Sequence, residues 1–287
     1  MCIFYTIRKI LCQLLFVTYV LVDLGIDGFF VSGKQGEFFS MSIEERKKSF
    51  SIAVEETHGK AQTILSCSDQ NFDTVIELAK YAEDIGADYI VVHAPVLNFV
   101  NERNQILKNY YSELSSRLNI GIAMWSHPDS GYLMEPELCD EIANLANIVA
   151  IKYSVPREMY KKLTELANDK LIVSTASENE WYDNIVELNW SLYLCSSPPF
   201  LFQTKKDQRM KEYTQLAFDG KFKEAKLVRD SLEPVRKSFQ ASKPMIVARK
   251  PGKLPGELFS QEYSLEYGEN TLSIQKKSLQ KYNSYAI

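Results

Sequence analysis

Seven short apolar runs recur along the 287-residue chain at nearly even intervals, and this spacing limits the fold more than any other feature. They are residues 28–32 (GFFVS), 62–67 (QTILSC), 89–93 (YIVVH), 119–125 (NIGIAMW), 147–152 (NIVAIK), 170–175 (KLIVST) and 191–196 (SLYLCS). The apolar stretches are continuous rather than alternating, which suits parallel strands covered on both faces. Their starts are separated by 21 residues (191 − 170) to 34 residues (62 − 28), enough for one helix per interval.

Helical patterns fill the gaps. Ser42 and Glu45 form a capping-box signature ahead of residues 46–56. Residues 71–85 carry apolar side chains at 72, 75, 76, 79 and 82, and stop at Gly86. Residues 136–146 and 156–167 each begin with proline, a residue that fits the first helical turn. Strand–helix alternation with this period predicts an α/β chain folded as a (β/α)8 TIM barrel, with a long doubly wound sheet as the other arrangement. No G-x-G-x-x-G follows any run, so the dinucleotide fold lacks its main signature. The barrel is expected over residues 1–200, with residues 2–7 (CIFYTI) as a short, degenerate first strand. A C-terminal helical extension follows over 201–250, through 204–218 and 221–240. An irregular tail occupies 251–287.

Composition narrows the function. The formal charge is 33 − 37 = −4, which gives no footprint for nucleic acid. The five cysteines are widely spaced and include no C-x-x-C, as expected of reduced thiols in a cytoplasmic protein. The three histidines, His58, His93 and His127, have no metal-ligand spacing, so no metal is expected. The apolar run at 10–22 reads as a buried helix ending near Gly25, or else as a signal or anchor segment. At 13 residues it is short for a membrane span, and no membrane association is expected.

Barrel chemistry sits at the C-terminal ends of the strands. Lys152 ends a run that should be buried and shares a face with Ile148 and Ala150. Burial favours the neutral amine and so makes a lysine nucleophilic. A lysine that merely reaches water from the strand end is the plainer alternative. The turn Gly33-Lys34-Gln35-Gly36 could present backbone amides to a carboxylate, or be an ordinary βα turn. Ser196 ends the last run.

These residues resemble a known family. The text GIDGFFVSGKQGE at 25–37, the lysine of Ile151-Lys152, and an aromatic three residues before Pro128 are similar to the dihydrodipicolinate synthase / N-acetylneuraminate lyase family of class I, pyruvate-dependent aldolases. The resemblance runs from about Leu15 to about Val247. It implies that Lys152 forms a Schiff base with a 2-oxo acid and that Gly33, Lys34, Gln35 and Gly36 bind its carboxylate, with Ser196 also at the substrate. It implies a dimer or tetramer, and no organic cofactor. This chain departs from the family in three places. Lys34-Gln35 replace two hydroxyl residues, Val96-Leu97 replace an aromatic pair behind Pro95, and Trp125 replaces the tyrosine that protonates substrate. An indole donates one hydrogen bond but does not shuttle a proton. His127 is the replacement expected for that task, with Tyr132 and Tyr153 next. The expected function is a carbon–carbon lyase or aldolase acting on pyruvate or a pyruvate-derived 2-oxo acid. The alternative is a degenerate relative that binds a 2-oxo acid without turnover.

Overall fold

The computed structural model describes residues 22, 24, 26–34, 36, 38–57, 59–97, 101–175, 177–194, 204 and 206–238. Six strands form one sheet: β1 (Gly28–Val31), β2 (Gln62–Ser66), β3 (Tyr89–His93), β4 (Gly121–Ser126), β5 (Ile148–Tyr153) and β6 (Ile172–Ser174). All neighbours are parallel, and the spatial order follows the chain order. Helices fill the connections: α1 (Ile43–Thr57), α2 (Phe72–Asp84), α3 (Arg103–Ser116), α4 (Pro136–Ile142), α5 (Arg157–Ala167) and α6 (Glu178–Leu188). Two more, α7 (Arg209–Phe218) and α8 (Phe222–Ser231), follow the sheet. A parallel wall wound one strand at a time in this way is half of a barrel.

Local chemistry explains the helix starts. The Ser42–Glu45 capping box is present in both directions: the Ser42 N–H donates to Glu45 Oε2 at 2.8 Å, and the Glu45 N–H donates to Ser42 Oγ at 3.2 Å. Asn71 caps α2 by accepting the Asp73 N–H. The helix expected from residue 204 starts only at Arg209. Thr204 and Asp207 instead use their side chains on nearby amides, with Asp207 N–H donating to Thr204 Oγ1 at 3.0 Å and Arg209 N–H donating to Asp207 Oδ1 at 3.2 Å.

The apolar residues divide into two clusters. The larger fills the space between sheet and helices, with Leu65, Ile90, Met124, Ile151 and Tyr153 facing the helices. The smaller, Val91, Ala123, Trp125 and Ala150 with Phe30 and Ile64 against it, lies on the opposite face of the sheet, which is the inside of the wall. Strand alternation therefore turns Tyr153 outward, where its hydroxyl donates to the Met134 carbonyl. Cys67 and Cys139 are buried free thiols. No helix among the described residues is long and apolar enough to cross a membrane.

The seventh expected strand differs. Ser191–Leu194 form no ladder. The segment is held beside β6 by one side-chain contact, the Leu194 N–H donating to Ser174 Oγ at 2.9 Å. Cys195 and Ser196 lie outside the described residues, as do the expected strand at 2–7, the tail at 251–287, Gln35 and Glu37.

Candidate active site

Register places four side chains in one row across the inside of the wall. His93 on β3 pairs with Trp125 on β4, Trp125 with Lys152 on β5, and Lys152 with Ser174 on β6. All four stand at the C-terminal ends of their strands, where barrel chemistry is found. Lys152 is only 5% exposed. Its Nζ lies 4.6 Å from the centre of the Phe30 ring and 4.8 Å from that of Trp125. Two aromatic faces thus hold the ammonium by cation–π attraction. Phe30 and His93 meet Trp125 edge-on, at 5.5 and 4.8 Å between ring centres. The Trp125 Nε1–H is buried and has no hydrogen-bond partner among the described residues. An orphaned donor of this kind costs about 1–3 kcal/mol.

Phe30 reaches Lys152 because of the turn that follows it. Ser32 takes φ 53, a left-handed conformation rare for a residue with a side chain, and Ser32 Oγ is 2.8 Å from Ser49 Oγ. A Cβ on Gly33 would stand 3.2 Å from the Phe30 ring, and one on Gly36 would stand 3.1 Å from Ser32 Cα. Glycine at both places lets the turn close against β1 and seats the aromatic ring. Lys34 leaves this turn to form an ion pair with Asp129, in the loop after β4.

His127 opens that loop. It caps a single 3-10 turn (Pro128–Ser130), its Nδ1 accepting the Asp129 N–H at 3.1 Å. The ring centre is 6.2 Å from that of Trp125 and 6.3 Å from that of His93. Burial pushes His127 below the ordinary histidine value, with Asp129 pulling against it. Sequence alone reads His93, just inside its strand end, as a satisfied core histidine, and its backbone N–H is bound by Ser68 Oγ at 2.9 Å. Its ring, however, joins the row. Nδ1 lies 2.8 Å from the Ala94 carbonyl and so carries the proton, which leaves the lone pair on Nε2. Tyr132 donates to the Pro95 carbonyl and serves the loop rather than the row. Burial disfavours the thiolate at both described cysteines, pushing Cys67 up to about 12 and Cys139 further still. Among the described residues no group of His, Cys, Asp and Glu could hold a metal ion.

Burial also lowers the His93 value. Between the unfolded value near 6.5 and the lowered folded one, the unfolded chain binds more protons than the native state. Stability is therefore full above about pH 6.5, falls as the pH drops toward the folded value, and then levels off. Thermal unfolding in steps of decreasing pH is expected to show this fall, and His93→Asn to flatten part of it. An unchanged acid slope in the variant would count against a neutral, buried His93.

A family profile fixes the ancestry of this arrangement: that of the dihydrodipicolinate synthetase family matches residues 15–251. The chain belongs to the dihydrodipicolinate synthetase family. A 4-hydroxy-tetrahydrodipicolinate synthase from Clostridium perfringens (strain SM101 / Type A) is 30% identical over 156 residues, 54% of this chain and 53% of that protein. The chain thus spans about half the length of that relative. The crystal structure of a prophage protein of the same family from E. coli K12, in complex with pyruvate, is similar in fold, with a TM-score of 0.72 and 20% identity over 93% of this chain and 90% of that one. A separate stretch of likeness is short and close. Fifty residues, 17% of the chain, are 84% identical to adenine phosphoribosyltransferase from Prochlorococcus marinus (strain MIT 9515) and cover 29% of that protein. Membership of the family makes the chain a relative of lyases built on parallel barrels.

Proposed function

We propose that the protein is a Schiff-base-forming lyase or aldolase acting on pyruvate or a pyruvate-derived 2-oxo acid, on a wall that closes into a (β/α)8 barrel. The observation that carries this reading is Lys152. It is a lysine almost wholly withdrawn from water at the C-terminal end of an inner strand, in a row with Trp125 and His93. A buried lysine in a packed aromatic setting needs a reason, and amine chemistry is one. That a relative's structure contains pyruvate supports the same substrate class.

In this reading the Lys152 ammonium first gives up a proton, the neutral amine attacks the 2-oxo carbon with formation of a C–N bond, and the carbinolamine oxygen takes that proton back and leaves as water to give an iminium. In the cleavage direction a base takes the proton of the C4 hydroxyl, the C3–C4 bond breaks, its electron pair enters the iminium to give an enamine, and C4 departs as a carbonyl. A proton returned to C3 and hydrolysis of the imine release pyruvate and the amine. In condensation these steps run in reverse. His127 is the group placed to move the proton, since the indole of Trp125 has no exchangeable acid near neutrality. With Lys34 paired to Asp129, the backbone of the Gly33–Gly36 turn is left to hold the substrate carboxylate. Trp125, Phe30 and the exposed Val96 give the mouth an apolar lining that favours a weakly polar distal group.

The test is intact mass after incubation with pyruvate and sodium borohydride. A gain of one reduced pyruvate, located on Lys152 by peptide mapping, is expected. Folded protein with no gain overturns the reading. An adduct that forms while no 2-oxo acid is turned over would favour the binding relative instead.

A further inference from the structure

One residue of the loop after β4 holds His127 from two directions. The Asp129 backbone N–H donates to His127 Nδ1 at 3.1 Å, and Asp129 Oδ1 lies 3.2 Å from the same nitrogen. The two contacts suit different charge states. A neutral ring with its lone pair on Nδ1 takes the amide and keeps its proton on Nε2. A charged ring has an N–H at Nδ1 and takes the carboxylate. The second carboxylate oxygen, Oδ2, is paired with Lys34 in the turn after β1. The carboxylate therefore joins two strand ends that are far apart in the sheet order.

We propose that Asp129 is the positioning residue for the proton carrier of the reaction. Its amide fixes the neutral ring with Nε2–H as the nitrogen left for substrate. Its carboxylate receives Nδ1–H when the ring becomes charged. Lys34 holds that carboxylate and sets how much of its charge reaches the ring. The use of this device in turnover rests on the Lys152 reading above; its effect on His127 does not.

The other groups facing His127 come from three strands and from the turn after β1. Trp125 and His93 contribute rings, and the Lys34 and Lys152 ammonium groups both disfavour a charge on the imidazole. Asp129 alone among these neighbours favours it. Removing Asp129 and removing Lys34 should therefore move the histidine in opposite directions, a pattern that loss of a merely structural contact does not produce.

The experiment follows the His127 imidazole by 1H–15N NMR in the full chain, between about pH 5 and 8. Asp129→Asn is expected to lower the titration midpoint and Lys34→Met to raise it, each by about half a pH unit or more. The neutral ring should carry its proton on Nε2 in the parent protein and in both variants. The histidine-dependent limb of the pH–rate profile should move the same way. Shifts of the same sign, no shift, or a proton on Nδ1 of the neutral ring would overturn the proposal. Borohydride trapping of pyruvate in the same proteins separates the two claims. Opposite shifts without an adduct keep the hold on His127 and remove the Lys152 reading. An adduct with unshifted midpoints removes Asp129.

Discussion

Replacing Lys152 by methionine is expected to abolish the borohydride-trappable pyruvate adduct, lower turnover by roughly 10³-fold or more, and leave the protein at least as stable as its parent. The first two effects follow if the Lys152 amine is the atom that attacks the 2-oxo carbon, as proposed above. The third follows from the surroundings. Lys152 is 5% exposed and wedged between the Phe30 and Trp125 rings. Methionine has a similar length, no charge to desolvate, and a thioether that packs well against aromatic rings. A buried lysine kept for folding would behave in the opposite way, with melting temperature falling along with activity. Mass spectrometry and thermal unfolding on the same preparation decide between them. An adduct retained in the methionine variant would sink Lys152 as the nucleophile.

Glu178→Ala is expected to destabilise the protein by about 3–5 kcal/mol. Glu178 and Arg236 are each only 3% exposed as side chains. The guanidinium grips the carboxylate with two hydrogen bonds, Nε to Oε2 at 2.6 Å and Nη2 to Oε1 at 2.8 Å. The Tyr213 hydroxyl adds a third at 2.8 Å. This cluster joins α6, at the end of the sheet, to α7 and the chain beyond α8. Alanine would leave the buried guanidinium with only the half-exposed Glu233 carboxylate, 3.6 Å away, as counter-charge, which is why breaking such a pair is far worse than removing both partners. Glu178→Leu combined with Arg236→Met should therefore recover most of the loss. Urea unfolding measures both. A cost below about 1 kcal/mol for Glu178→Ala would show that apolar packing alone docks the C-terminal helices.

The strands were legible because a parallel strand covered on both faces has nowhere to put polar residues. The run 89–93 coincides with β3, and 62–67 exceeds β2 by the single residue Cys67. The start of β4 was placed early, at residue 119, because Asn119 and Ile120 extend the apolar text while the Asn119 N–H is used by the Glu83 carboxylate. Lys152 is legible from its strand end, and Trp125 from the resemblance that sets an aromatic three residues before Pro128. His93 was underrated because a lone histidine in an apolar run gives no sign of which face it shares with its neighbours across the sheet. Asp129 was missed for a different reason. Its importance lies in reaching Lys34, 95 positions away by subtraction (129 − 34), and no local pattern encodes a contact across the mouth of the wall. Phe30 was hidden in the same manner, since a phenylalanine in a strand reads as core until a cation is seen against its ring.

The division of apolar residues into two separate clusters bears on how such a protein can change over generations. Among the described residues the large cluster against the helices carries most of the buried side chains, while the inner face has four buried apolar residues and a row of polar or aromatic tips. Selection for abundance acts mainly on the first, and selection for chemistry on the second. New residues can then be tried at the inner strand ends without undermining the fold. An indole such as Trp125, where the family resemblance implies a tyrosine, is the trace such freedom would leave.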